Sequence, residues 1–320
     1  MPAIEGFVRD DRPAGDQTPP AVWFAYTPDR KGEHPQGDLR KFKGTLQADG
    51  YAGFEQIYEG GRIQEAACWA HVRRKFYDIQ VAHKSLVAEE ALKRIGELYA
   101  VESDTSGRSP EERREIRSTR SRPSLESLKQ WLEGTLVKLS KKSDTAIAVR
   151  YALGRWEALL RYCDDGHLEI DNNAAERALR AVALGRKNYL FAGSDRGGES
   201  AAAIYSLIGT AKLNGTDPES YLRNVLSRIA EHPINRIKEL LPWNFAEDSL
   251  HAPCSGMNRS RHIMLNKLTT RFREEDKKMI AEAIRLSPPA APGKKNRLII
   301  MLWSAVVLVD LALLFLMRSR

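Results

Sequence analysis

Asp171–Gly185 reads DNNAAERALRAVALG, and the fold reading turns on it. Ala175, Leu179 and Val182 recur at helical spacing, so the stretch is predicted to be an amphipathic helix. Asp171 is the candidate N-cap, since its carboxylate can accept from the free N–H groups of the first turn. Glu176 stands with Asn172 at i−4, Asn173 at i−3 and Arg180 at i+4, so the four share one face. A carboxylate held among amides and arginines can ligate a metal or join a surface ladder of ion pairs. On the residues alone the ladder is favoured.

Upstream, short β-rich stretches alternate with helical ones. Gly6–Arg9, Ala21–Tyr26, Thr45–Ala48 and Arg62–Trp69 are predicted strands, and Gly53–Tyr58 a helix. Asp38–Phe42 reads as a helical turn. The alternation predicts a mixed α/β sheet with helices packed on it. Asp49 follows a strand and precedes Gly50, a place where α/β sheets put working residues. A plain turn aspartate is the alternative. Ala70–Asp78 is basic, with His71, Arg73, Arg74 and Lys75.

From Ser85 to Tyr162 the strand signal disappears. Leu86–Val101, Leu125–Ser140 and Ala146–Cys163 carry amphipathic periodicity, which predicts an all-helical insertion. Gly107–Pro123 is a charge run that reads first as a solvated helical face, with a nucleic-acid contact as the sharper alternative. Beyond the central helix, Gly193–Gly198 reads as a loop and Glu199–Leu213 as a buried helix. Asp217-Pro218 opens another helix, and His232-Pro233 a last short one.

Thr270–Leu286 is a charged amphipathic helix candidate, and Ser287–Lys295 a Pro-rich linker. Leu298–Met317 is apolar apart from Asp310, a length that spans a bilayer as a helix. Lys294, Lys295 and Arg297 flank one side and Arg318 and Arg320 the other, so orientation stays open. An intramembrane Asp310 is costly. A buried core helix is the alternative.

The chain of 320 residues has a net charge of +8. Its pI near 9.3 points to a polyanion such as DNA or to an anionic membrane surface, with a basic soluble enzyme as the bland reading. Cys68, Cys163 and Cys254 lie far apart, which gives neither a disulfide framework nor a cysteine zinc site. The first residues carry charge and lack a signal-peptide core, so the main body is expected to be cytosolic. No P-loop or dinucleotide glycine pattern is present, and no histidine accompanies a hydrolase nucleophile motif.

Several ordered blocks carry a resemblance. GTLQADGYAGFEQIYEGG, AACWAHVRRKF, LEIDNNAAERALRAVALGRKNYLFAGS and AAAIYSLIGTAKLNGTDPESYLRNVLSRIAEHPINRIKELLPWN resemble the DDE transposases of bacterial insertion-sequence 66 elements. The similarity runs from about Gly6 to Asn244. It implies a ribonuclease-H-like α/β domain that cuts and joins DNA ends through an Asp, Asp and Glu cluster holding two divalent ions, Mg²⁺ or Mn²⁺. Such ions prefer carboxylate oxygens and can stabilise attacking and leaving oxygens together.

By that resemblance Asp49 is the second acidic residue and Glu176 the glutamate, both catalytic and metal-binding. Asn172, Asn173, Arg177 and Arg180 become supporting or DNA-phosphate contacts, and His71, Arg73, Arg74, Lys75, Arg186 and Lys187 a DNA-facing surface. The implied partners are DNA element ends, a further copy of the chain and a full-length transposase. The expected organisation is a sheet domain in 1–84, a helical insertion in 85–163, the catalytic helix in 164–200 and a helical region in 201–247. A linker and amphipathic tail in 248–296 and a membrane-crossing helix in 297–318 complete it.

In the family the first aspartate sits on a strand upstream of the segment matching GFVRDDRP, just before which this chain begins. Asp10 and Asp11 match a later turn. The first strand is therefore expected to be absent, the sheet to be left open and catalysis to be incomplete. The competing readings are a non-catalytic DNA-binding remnant and a protein anchored in a membrane by its tail.

Overall fold

The computed structural model describes residues 2–185 and 194–245, with 297–303 as backbone. The expected amphipathic helix and linker between 270 and 295 lie outside the described residues.

Alternating apolar stretches give strands β1 (Ala3–Arg9), β2 (Ala21–Thr27), β3 (Gly44–Ala48) and β4 (Ile63–Ala67). Arg297–Trp303 forms β5. The sheet order is β2-β1-β5-β3-β4. β1 is antiparallel to β2 and to β5, whereas β3 is parallel to β4 and to β5. The sheet expected to be left open by a missing edge or central strand is thus continuous among the described residues, and its middle strand is β5.

That corrects the reading of the tail as one hydrophobic helix. Leu298–Trp303 is extended because both neighbours offer a ladder of backbone partners. Among the described residues no helix is long and apolar enough to cross a membrane.

The first short helices are α1 (Glu33–Asp38) and α2 (Glu55–Tyr58). α1 ends where the sequence placed a helical turn, because Glu33 and not Asp38 begins it. Longer helices follow: α3 (Trp69–His83), α4 (Leu86–Thr105), α5 (Pro110–Ile116) and α6 (Arg122–Leu136). A π-helical turn, Arg117–Ser121, joins the last two. Then come α7 (Asp144–Gly154), α8 (Trp156–Asp164), α9 (Asn173–Gly185), α10 (Asp195–Leu213) and α11 (Pro218–Arg228). The stretch 146–163 is two helices, broken at Arg155.

Caps explain several starts. Ser109 and Glu112 form a reciprocal capping box at α5. Ser194 accepts from Gly197 N–H at 3.1 Å, which pulls the expected glycine loop into the first turn of α10. Asp217 accepts from Ser220 N–H at 2.8 Å, with Pro218 at the first helical position.

Helices cover both faces of the sheet. Ile4, Val8, Val22 and Phe24 pack against Ala175, Leu179 and Val182 of α9 and Ala202 of α10. Phe7, Leu46, Ala48 and Ile63 bury the other face with Leu39, Phe54 and Ile57. A third core joins α3, α4, α6, α7 and α8 around Trp69, Phe76, Ile95, Leu128 and Trp156, and it takes in Leu168 and Ile170 before α9.

Close approach fixes α9 on the sheet. A side chain at Gly6 would meet Leu179 Cγ at 3.0 Å and Phe24 at 3.1 Å. α10 covers the edge strand β2. Phe24 N–H donates to Ser206 Oγ at 2.8 Å, Val22 N–H donates to Thr210 Oγ1 at 3.1 Å, and that hydroxyl donates to Val22 O at 3.0 Å. The hydroxyls stand in for a neighbouring strand, so this edge is closed to pairing with another chain.

Candidate active site

Asp49 follows β3 at its carboxyl end. Its Oδ1 accepts from Tyr51 N–H at 3.2 Å, and its carbonyl accepts from Tyr151 Oη at 3.2 Å. Arg155 donates to Gly50 O at 3.0 Å and pairs with Glu65, which pins the turn after β3 from α7 and the α7–α8 junction. Burial raises the Asp49 carboxyl above its ordinary range, while His71, the Tyr51 N–H and Arg155 oppose the rise.

His71 lies in the first turn of α3. Its Nε2 stands 3.7 Å from Glu176 Oε1, and its charge is among the influences that oppose the rise of the Asp49 carboxyl. Two stretches far apart in sequence thereby meet: the start of α3 and the start of α9.

A backbone hydrogen bond ties the start of α3 to the approach to α9. Trp69 N–H donates to Ile170 O at 3.1 Å. Cys68, just before α3, is buried, and burial pushes its thiol up to about 12 against the pull of the Asn172 and His71 N–H groups. Asn172 O accepts from the N–H of Ala175 and Glu176, so Asn172 is the capping position that was assigned to Asp171. Asp171 stands one residue earlier. It accepts from Asn173 N–H at 3.0 Å, from Asn173 Nδ2 at 2.7 Å and from Tyr99 Oη at 3.1 Å. Burial raises its carboxyl above the usual range.

A cleft of about 640 Å³ opens beside this junction. His71, Arg73, Arg74 and Tyr77 of α3 line it with Gly96 and Tyr99 of α4 and Asn173 and Glu176 of α9. Arg73 and Arg74 are exposed, as are Arg177 and Arg180 on α9. Lys75 turns instead over the Tyr151 ring, 4.4 Å from its centre. Asn172 is 0% exposed, and its side-chain amide has no partner among the described residues. Arg186 and Lys187 lie outside the described residues.

Sequence reading missed Tyr99, Tyr151, Arg155 and Glu65. They belong to no local motif: Tyr99 and Tyr151 come from helices whose only sequence signal is periodicity, Arg155 from the junction of α7 and α8, and Glu65 from β4. Among the described residues, the His, Cys, Asp or Glu side chains whose ligand atoms gather in threes within 4.8 Å are Asp29, Glu33 and His34, near the surface. Neither Asp49 nor Glu176 belongs to such a group.

Comparison with known proteins agrees with the blocks that build this site. The model of the IS66 transposase family matches residues 6–200, and that of the IS66 C-terminal element matches residues 206–243. The chain belongs to the IS66 transposase family.

It is 42% identical over 259 residues to the uncharacterized protein y4hP of Sinorhizobium fredii (strain NBRC 101917 / NGR234), covering 76% of this chain and 47% of that protein. The uncharacterized protein y4qI of the same strain is 40% identical over 252 residues, with 76% and 47% covered. The uncharacterized protein YuaK of Escherichia coli (strain K12) is 43% identical over 49 residues, 15% of this chain and 52% of that protein. The chain spans about half the length of the Sinorhizobium relatives it matches. No solved structure matches it.

Proposed function

We propose that this chain binds the DNA ends of an insertion sequence as a DDE-type transposase does, with cutting and joining left incomplete. The meeting of His71 and Glu176 in a cleft edged by Arg73 and Arg74 carries the reading; Asp49, just after β3, is added by the family resemblance. Exposed guanidinium groups track phosphate oxygens, and the +8 net charge favours a polyanion throughout.

The donor set does not fit a two-ion cluster. It offers two carboxylates, Asp49 and Glu176, and neither joins a group of three ligand atoms among the described residues. Asp171 is turned to Tyr99 and Asn173. Two carboxylates hold a hard cation weakly, since Mg²⁺ asks for several oxygen ligands in near-octahedral geometry. DNA occupancy without efficient chemistry is the function that these residues support.

The test is nicking and strand transfer on matched element ends with Mn²⁺, run on this chain and on Asp49→Ala and Glu176→Ala, beside a DNA-binding assay. The expected result is retained binding with no nicking by any of the three. Nicking by the parent chain that both substitutions abolish would mean that a further acidic residue completes the site.

A further inference from the structure

The middle strand of the sheet lies outside the family match. That match ends at residue 243, and β5 begins at Arg297. Yet β5 pairs on both sides: Ile4, Gly6 and Val8 of β1 are level with Trp303, Met301 and Ile299, and Gln47 of β3 is level with Ile299. β1 and β3 are not partners of one another. Without β5 the sheet would fall into two ribbons, β2-β1 and β3-β4, each with an open inner edge.

The two candidate carboxylates sit on opposite sides of this join. Asp49 follows β3, while α9, which carries Glu176, packs on β1 and β5. The parallel register, run two residues past Gln47, sets Asp49 level with Met301. RLIIMLW contains no Asp or Glu, so β5 brings geometry to the site and no ligand.

We infer that Arg297–Trp303 is the strand that holds the two halves of the sheet together, and that sheet completion and membrane crossing exclude one another for this tail. The apolar run 298–317 is long enough to span a bilayer only if it is used whole. With 298–303 in the sheet, residues 304–317 remain. As a helix they would reach about 21 Å, against a hydrocarbon core of about 30 Å. The positioning of Asp49 and Glu176 rests on the functional reading above, whereas the strand assignment does not.

The test uses the full chain with Cys254→Ser and paired cysteines. Val8→Cys with Ile299→Cys places the substitutions at directly paired positions, while Val8→Cys with Ile300→Cys is offset from that register by one residue. Mild oxidation should give the cross-linked gel shift for the first pair and little for the second. Equal yields, or none for either pair, would overturn the strand assignment. The oxidised first pair should also fail to float with phosphatidylcholine–phosphatidylglycerol vesicles, and flotation of the cross-linked species would overturn the exclusion. Neither readout needs DNA or a metal, so failure here is distinguishable from failure of the transposase reading.

Discussion

His71 Nε2 lies 3.7 Å from Glu176 Oε1, and both side chains are partly open to solvent. A pair so placed contributes little to folding, about 0–1 kcal/mol. Glu176→Gln should therefore leave the unfolding midpoint close to that of the parent chain. It should also tighten DNA binding in the absence of divalent ions, because a negative charge leaves the rim of a basic cleft. Thermal melts and a binding titration in EDTA check both. A large loss of stability would make Glu176 a structural residue.

Arg73 and Arg74 are exposed on the wall of the cleft. Reversal to Glu at both positions should weaken DNA binding for all sequences alike. Each lost phosphate contact should also lower the slope of log affinity against log salt by about 1. Titrations at several salt concentrations measure the slope. Lys75→Ala should have a smaller effect on it, since that ammonium group is committed to the Tyr151 ring.

Glu102 is the acidic partner of two fully buried arginines. Arg117 donates to it at 2.6 and 2.8 Å, and Arg113 stands 3.7 Å away and reaches Glu169 at 2.7 Å. Glu102→Ala leaves Arg117 buried without its carboxylate, a change that costs about 3–5 kcal/mol. The expected outcome is a large fall in the urea midpoint, with Lys93→Ala on the exposed side of α4 as a mild control.

The central helix and the strand before Asp49 were legible because their patterns are local. Apolar positions 175, 179 and 182 announce a helix, and Asp49-Gly50 announces a strand end. The charge run 107–123 was read as a solvated face, yet Arg113 and Arg117 are buried in it. Their partner Glu102 lies on the preceding helix, and no helical spacing anticipates a pairing made across the turn between the two helices. The tail misled for a related reason. RLIIMLW suits a strand, a core helix and a membrane helix equally, and only the ladder offered by β1 and β3 selects among them. Tyr99, Tyr151 and Arg155 reach the site from the helical region through tertiary packing alone.

Glu5 sits in β1, level with Ala25 of β2 and Leu302 of β5, and is 1% exposed. Burial first, and then the nearby charge of Asp38, push its carboxyl from its ordinary 4.5 up to about 8. A folded-state value above the unfolded one means that the folded protein holds a proton which the unfolded chain has released. The stabilising contribution is fully present below pH 4.5 and is lost as the pH rises through about 8. Its size across that window is on the order of 5 kcal/mol, at about 1.4 kcal/mol per pH unit. Glu5→Gln should remove this slope. The variant and the parent chain should melt alike near pH 5, and the variant should melt higher at pH 8. Parallel melting curves for the two proteins across that window would mean that Glu5 is not held protonated in the folded sheet.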